Sequence, residues 1–141
     1  MPRAGLRGRV SIELRRGPGH DVEVTGAEIN LIVLRSDQLQ LTRGFYEAMG
    51  LSFVEEKHGQ GPAHLSATTP SGTVLELYPL PTGEAPETGT RGVRLGFVVE
   101  NVQAVIEAVL RSGGTVMSSG DQAAVFKDPD GRKVEVTAGE A

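Results

Sequence analysis

The 141-residue sequence contains no cysteine and no tryptophan, and aromatic residues make up only 4% of it. Without cysteine, the protein can have no disulfides, no thiolate nucleophile and no cysteine-ligated zinc. No apolar run approaches the roughly 20 residues that a membrane-spanning helix requires. The first twenty residues also lack the continuous apolar segment of a secretory signal. The sequence therefore favours a cytoplasmic protein without a membrane partner.

Charge is nearly balanced, with 14 basic and 18 acidic residues and a formal net charge of -4. This balance gives no sign of a nucleic-acid partner. A chain of this length can bury a core of ordinary size, so we expect one domain. Residues 1–27 form an N-terminal extension that is rich in arginine. It is either a hairpin with its turn at Gly17-Pro18-Gly19 or a flexible tail.

The rest of the sequence, residues 28–141, contains the same order of predicted elements twice. In the first copy these are a strand, a helix and three strands, at 28–34, 38–49, 51–57, 63–69 and 73–78. Module one therefore spans 28–80, a linker rich in proline and glycine spans 81–91, and module two spans 92–138. A repeat with a period of about 60 residues is the strongest architectural signal in the sequence. It predicts an α+β fold of two βαβββ modules.

The two predicted helices each have an apolar stripe and a glycine that ends them. In the first, Leu41, Phe45 and Met49 are spaced for one buried face, and Gly50 follows. In the second, Asn101 is the expected N-cap. Its predicted stripe consists of Val102, Val105, Ile106, Val109 and Leu110.

The last strand of each module carries a glutamate four residues after a glycine. The segments are GTVLELYPL, residues 72–80, and GRKVEV, residues 131–136. Side chains alternate along a strand, so Glu76 and Glu135 lie opposite a mostly apolar face. A single such glutamate is usually just solvated. The same spacing in both copies favours a functional role for the pair.

Five segments together resemble the vicinal oxygen chelate superfamily, which includes glyoxalase I, bleomycin-resistance proteins and extradiol dioxygenases. They are FYEAMGL (45–51), HGQGPAH (58–64), LELYP (75–79), RLGFVVENV (94–102) and DPDGRKVEV (128–136). The resemblance implies that the two modules curl into a cup. It does not by itself choose an activity, because one fold can carry many functions.

The resemblance also implies where a divalent metal would be bound. The family positions fall on Asn30, Glu76, Arg94 and Glu135. Arginine cannot ligate a metal, so the sequence departs from the family's metal enzymes at Arg94. If nickel, zinc, manganese or iron is bound, we expect Glu76, Glu135 and His64 as ligands. Otherwise, an ion pair between Arg94 and a glutamate closes the floor of the cup.

The candidate catalytic residues are Glu76 and Glu135, because a glutamate of this family moves a proton next to a carbonyl. The candidate substrate-binding residues are Asn30, Arg94, Tyr78 and His64. Arg94 is expected to be buried, pairing with carboxylates or holding an anionic group, and Tyr78 shares a strand face with Glu76. Because HxxxxxH has no recognised metal spacing, His58 and His64 are each also interpreted as a surface or hydrogen-bonded residue.

Two functions follow from the resemblance. The first is a lyase or isomerase acting on a small oxygenated molecule. The second is a metal-free protein that binds and sequesters a drug, although the scarcity of aromatic residues weakens this alternative. An extradiol dioxygenase is disfavoured, because the two histidines and one carboxylate that hold its iron are missing from the matching positions. A small-molecule ligand and a homodimer are expected by family analogy.

Overall fold

The computed structural model describes residues 12–15, 21–24, 26–81 and 92–139. Its elements, in chain order, are β1 (Ile12–Arg15), β2 (Asp21–Val24), β3 (Leu31–Ser36), α1 (Leu39–Glu47), β4 (Val54–Glu56), β5 (His64–Thr68), β6 (Val74–Pro79), β7 (Arg94–Val99), α2 (Val102–Arg111), β8 (Thr115–Ser119), β9 (Ala123–Lys127) and β10 (Lys133–Ala138). From β3 onwards the order β-α-β-β-β occurs twice, so the predicted α+β fold is confirmed. Neither helix is long and apolar enough to cross a membrane.

Each module builds one four-stranded sheet with the same topology. The strand orders are β3-β6-β5-β4 and β7-β10-β9-β8. In both sheets the first strand pairs in parallel with the last, and the remaining pairs are antiparallel. The strands β1 and β2 form a separate antiparallel pair. The turn predicted at Gly17-Pro18-Gly19 and most of the predicted linker lie outside the described residues.

The observed strands are shorter than the predicted ones at two places in module one. β3 begins at Leu31 instead of residue 28, and β4 covers only Val54–Glu56. Asn30 therefore lies just before its strand, where its backbone carbonyl accepts a hydrogen bond from Val74 N at 2.8 Å.

The helices bury faces that differ in part from the predicted stripes. Leu41 is 52% exposed, and the side chains buried in α1 are Thr42, Phe45 and Tyr46. The predicted burial of Leu41 is therefore wrong. In α2 the N-cap is confirmed, since Asn101 Oδ1 accepts from Ala104 N at 3.0 Å. Leu110 is exposed, so its predicted burial is wrong as well.

Both modules contribute to one hydrophobic core on the sides of the sheets that face the helices. The ring of Phe45 in α1 meets Phe126 in β9 edge-on, with centroids 6.3 Å apart. Tyr46 lies 6.2 Å from Phe97 in β7. Because the helix-facing sides share this core, the exposed positions of β3 and β7 lie on the opposite side of their sheets.

A buried polar network in the turn between β9 and β10 joins the two modules. Asp128 Oδ2 accepts hydrogen bonds from the Tyr46 hydroxyl at 2.7 Å and from Arg132 Nη1 at 2.9 Å. Asp130 Oδ2 accepts from the Thr42 hydroxyl at 2.9 Å. Arg132 also donates to the backbone carbonyl of Arg35. The polar face of α1 therefore turns inward, which explains why Thr42 is buried while Leu41 is not.

This network changes the pKa of the Tyr46 phenol. Burial, and then the negative charge of Asp128, raise the pKa of Tyr46 well above its ordinary value. The neutral phenol therefore stays the donor to Asp128 in the folded protein at neutral pH.

Gly114, which follows α2, packs closely against Phe45 of α1. A Cβ added there would lie 2.7 Å from the Phe45 ring and 2.8 Å from Val109. Both side chains are fully buried, so they cannot move aside freely. We expect Gly114→Ala to lower the free energy of unfolding by about 1–3 kcal/mol, measured by urea titration.

Gly44, inside α1, is the matched control. A Cβ added there would meet nothing within 4 Å. Because alanine favours the helix over glycine, Gly44→Ala should raise stability by about 0.5–1 kcal/mol. Effects of equal sign in the two variants would contradict this account of the packing.

Candidate functional site

Three of the predicted site residues of module one, Glu76, His64 and Tyr78, lie on the side of its sheet that faces away from the helices. The strand register places Val33, Glu76, Ser66 and Val54 in one row across this side. Arg35 is paired with Tyr78, and Glu56 with His64, in the neighbouring row. We call this side, defined by these eight residues, the open face of module one.

His64 is the most buried titratable residue of the open face, with 2% of its surface exposed. Its Nδ1 lies 3.3 Å from the backbone carbonyl oxygen of Pro62. A carbonyl can only accept, so in a hydrogen bond between these two atoms Nδ1 is the donor. Yet Nε2 is buried and has no hydrogen-bond partner among the described residues.

Two carboxylates flank this nitrogen. Glu56 Oε1 lies 3.3 Å from His64 Nε2, and Glu76 Oε2 lies 3.7 Å from it. Both distances exceed those of a good charge-assisted hydrogen bond. The Glu76 side chain is 18% exposed, so a small molecule on the open face can reach it.

Aromatic stacking fixes the imidazole plane. The rings of His64 and Tyr78 stack with centroids 4.3 Å apart and planes 7° from parallel. The guanidinium of Arg35 lies 5.3 Å from the centroid of the Tyr78 ring, within the range of a cation–π contact. The stack holds the His64 ring in place, so Nε2 keeps its direction toward the carboxylates.

His58 completes this cluster from the loop between β4 and β5. Its Nε2 lies 3.5 Å from Glu56 Oε1, and its side chain is 73% exposed. The His58 carbonyl accepts a hydrogen bond from Gly61 N at 3.0 Å, and this bond closes a turn over residues 58–61. The ligand atoms of Glu56, His58 and His64 all lie within 4.8 Å of one another.

The predicted site residues of module two lie on the other sheet. Arg94, Gly96, Val98, Val125, Lys133 and Glu135 share the side that faces away from the helices, which we call the open face of module two. One oxygen of Glu135 lies 3.7 Å from Arg94 Nη1, and Arg94 is 53% exposed. The expectation of a buried Arg94 is therefore wrong. A pair this exposed contributes little to stability.

The structure thus brings together some of the sequence-predicted residues and separates others. Glu76, His64 and Tyr78 form one cluster, whereas Arg94 and Glu135 form another. Among the described residues, no ion pair or hydrogen bond joins the two clusters. Sequence reasoning missed Glu56 and gave His58 no role at the site. No signal in the sequence pointed to Glu56, because only the strand register places it across from His64.

A separate apolar groove of about 1040 Å³ lies between the modules. It is lined by side chains of β3, β6, β7 and α2, among them Ile32, Leu75, Leu95, Phe97 and Val105. None of the clustered titratable residues lines it, although Gly96 and Val98 of the open face of module two do.

The sequence profile of the glyoxalase-like domain matches residues 31–137. The chain belongs to the glyoxalase-like family, within the vicinal oxygen chelate superfamily. No curated protein matches the sequence.

Solved structures agree with the glyoxalase-like fold. A glyoxylase/bleomycin resistance protein/dioxygenase domain from Frankia sp. EAN1pec has a TM-score of 0.63 and 18% identity over 81% of this chain and 98% of its own. TnmS3, an antibiotic binding protein from Streptomyces sp. CB03234, has a TM-score of 0.58 and 20% identity over 81% and 97%. The oxidase ChaP-H2 has a TM-score of 0.57 and 16% identity over 81% and 94%. At these identities the likeness establishes the fold alone.

The family's metal positions do not fit a metal in this glyoxalase-like chain. Arg94 occupies one position with a permanent positive charge, and its guanidinium contacts Glu135, which occupies another. Asn30 lies before its strand, so the expected first-strand ligand is displaced. Of the four positions, only Glu76 lies beside further donor groups, His64 and Glu56.

Proposed function

We propose that this glyoxalase-like protein is a lyase or isomerase that moves a proton next to a carbonyl of a small oxygenated molecule. The observation that carries the proposal is the buried His64 Nε2, which has no hydrogen-bond partner among the described residues and lies between two carboxylates. Leaving a buried polar atom unsatisfied costs about 1–3 kcal/mol. Groups kept in such a state cluster at functional sites, where a ligand supplies the missing interaction.

Three residues of the open face have distinct roles in the proposed reaction. Glu76 acts as the general base that takes the proton from the carbon next to the carbonyl. Negative charge then develops on the carbonyl oxygen. The Tyr78 hydroxyl and the Arg35 guanidinium are the neighbouring donor and cation that can stabilise it. The product forms when Glu76 returns the proton to a different atom, or when a leaving group departs.

The test is proton exchange in heavy water. The probes are dihydroxyacetone and the hemithioacetal of methylglyoxal with 2-mercaptoethanol, because both carry vicinal oxygens and an exchangeable carbon-bound proton. We expect the purified protein to speed the loss of that proton's NMR signal. Exchange at the protein-free rate with both probes would contradict the proposal.

A second copy of the chain is part of the proposed site. Several apolar side chains on the open faces are exposed, including Val54 at 59% and Val98 at 68%. When two sheet surfaces both expose apolar side chains, burial of these side chains in an interface is favoured. We propose a homodimer in which the open face of module one covers the open face of module two of the partner subunit. Arg94 and Glu135 of the partner subunit would then complete the cup beside Glu76.

Replacing Val98 by aspartate tests this dimer. We expect the wild-type protein to sediment at about twice the 14.9 kDa chain mass. Val98→Asp should sediment as a monomer, because the interface would bury an unpaired charge. Leu110→Asp is the matched control, since Leu110 is an exposed apolar residue on α2. A monomeric wild type, or equal behaviour of the two variants, would contradict the arrangement.

The second candidate function is binding and sequestration of a drug without chemistry. The apolar groove of about 1040 Å³ favours it, since small-molecule sites are commonly apolar and of about this size. Calorimetric titration with bleomycin separates the two functions. Saturable binding without exchange of either oxygenated probe would support sequestration over catalysis.

A further inference from the structure

We propose that Glu56, His58 and His64 bind one transition-metal ion of the zinc type, displaced from the metal positions of the family. The ion would occupy the gap between their side chains at the edge of the open face. The set differs from the sequence-predicted ligands Glu76, Glu135 and His64, of which it retains only His64. The role of this ion as a cofactor of the active site rests on the proposed function, whereas the existence of the metal site does not.

The spacing of the donor atoms matches a metal better than it matches hydrogen bonds. Zinc bonds to histidine and carboxylate are about 2.0–2.1 Å long, so two ligand atoms of a tetrahedral site lie about 3.4 Å apart. Glu56 Oε1 lies 3.3 Å from His64 Nε2 and 3.5 Å from His58 Nε2. The remaining separation, between the two imidazoles, is at most 4.8 Å. The exposed His58 side chain has room to rotate and close that gap.

The surroundings of His64 are also those of a ligand. Its Nδ1 lies 3.3 Å from the Pro62 carbonyl oxygen, so Nε2 is the ring nitrogen that faces the gap. Metal-binding histidines commonly donate their other N–H to such an acceptor, which fixes the ring and its tautomer. A buried imidazole nitrogen without a hydrogen-bond partner among the described residues is the expected appearance of a ligand without its ion.

The chemistry of the set favours a catalytic ion over a structural one. Two histidines and one glutamate leave the fourth tetrahedral position open, as catalytic zinc sites do. Glu76 Oε2 lies 3.7 Å from His64 Nε2, so this carboxylate stands next to the gap without being needed as a ligand. An oxygen of the substrate would take the open position, and Glu76 would remain free to act as the base.

The first test is metal binding by untagged protein dialysed against chelator and then titrated separately with Zn²⁺ and Co²⁺. We expect one equivalent per chain, and visible absorption of tetrahedral cobalt. Loss of a residue that merely supports a ligand costs about 10–100-fold in affinity, so His58→Ala and Glu56→Gln should each weaken Zn²⁺ binding by at least about 100-fold. Glu55→Gln is the control, because Glu55 neighbours Glu56 on β4 but points to the other side of the sheet. Absence of binding, or equal affinities in all variants, would overturn the site.

The second test separates this inference from the proposed function. Glu76→Gln should keep Zn²⁺ binding and lose proton exchange. If chelator-treated protein exchanges as fast as metal-loaded protein, the ion has no part in the reaction, so its proposed role as a cofactor fails, whereas the proposed function stands. If one Zn²⁺ binds through Glu56 and His58 but neither probe exchanges, the metal site stands and the proposed function fails.

Discussion

Replacing Arg132 by alanine is expected to lower the free energy of unfolding by about 3–5 kcal/mol, the cost of breaking a buried ion pair from one side. Arg132 is 1% exposed, and its Nη1 lies 2.9 Å from Asp128 and 3.5 Å from Asp130. Without the guanidinium, two buried carboxylates would lie close together with no cation between them. Urea titration of wild type and variant measures the loss.

Lys133→Ala is the control for this variant. Lys133 is the next residue in the chain and is exposed, so its removal should change stability by no more than about 0.5 kcal/mol. A loss below about 1 kcal/mol in Arg132→Ala would mean that the network tolerates an unpaired carboxylate. Its proposed importance for joining the modules would then be wrong.

Glu76→Gln is expected to reduce proton exchange with the oxygenated probes by about 10²–10⁴-fold, the usual contribution of a positioned general base. Glutamine has nearly the same shape, but its amide cannot take the proton. The fold should be unaffected, because Glu76 is half-buried on the open face and makes no hydrogen bond that holds the core. The NMR assay measures the effect directly.

The matched comparison is again Glu55→Gln, which removes a carboxylate from the same sheet on the side away from Glu76. It should exchange at the wild-type rate. A Glu76→Gln variant with more than half of the wild-type rate would show that another group is the base. In that case Glu56, on the opposite side of His64, would be the next residue to replace.

The module repeat was predictable because its signals are local. The helix caps, the terminal glycines and the alternating strands all depend on residues within one element. The errors arose where distant partners decide burial. Leu41 fits an apolar stripe, but Thr42 and Tyr46 are buried in its place, because Asp130 and Asp128 accept their hydrogen bonds from more than 80 residues away. The sequence alone does not show which distant residues make such contacts.

The candidate site was predictable to a smaller extent. Strand alternation correctly assigned Glu76 and Arg94 to the sides that face away from the helices. It could not place His58 beside His64, because the loop geometry between β4 and β5 decides that distance. It could not show that Glu56 faces His64 either, since the predicted strand was longer than the observed one and left the pairing register open.

The turn between β9 and β10 also has a consequence for folding on the ribosome. The strands of module one all precede residue 80, so its sheet can form while module two is still being made. However, the acceptor of the Tyr46 hydroxyl is Asp128 and that of the Thr42 hydroxyl is Asp130, and both lie in this turn of module two. Until that turn is synthesised, α1 exposes the aromatic face that later meets Phe126. The nascent first module is therefore the stage at which this protein is most exposed to aggregation and has most need of a chaperone.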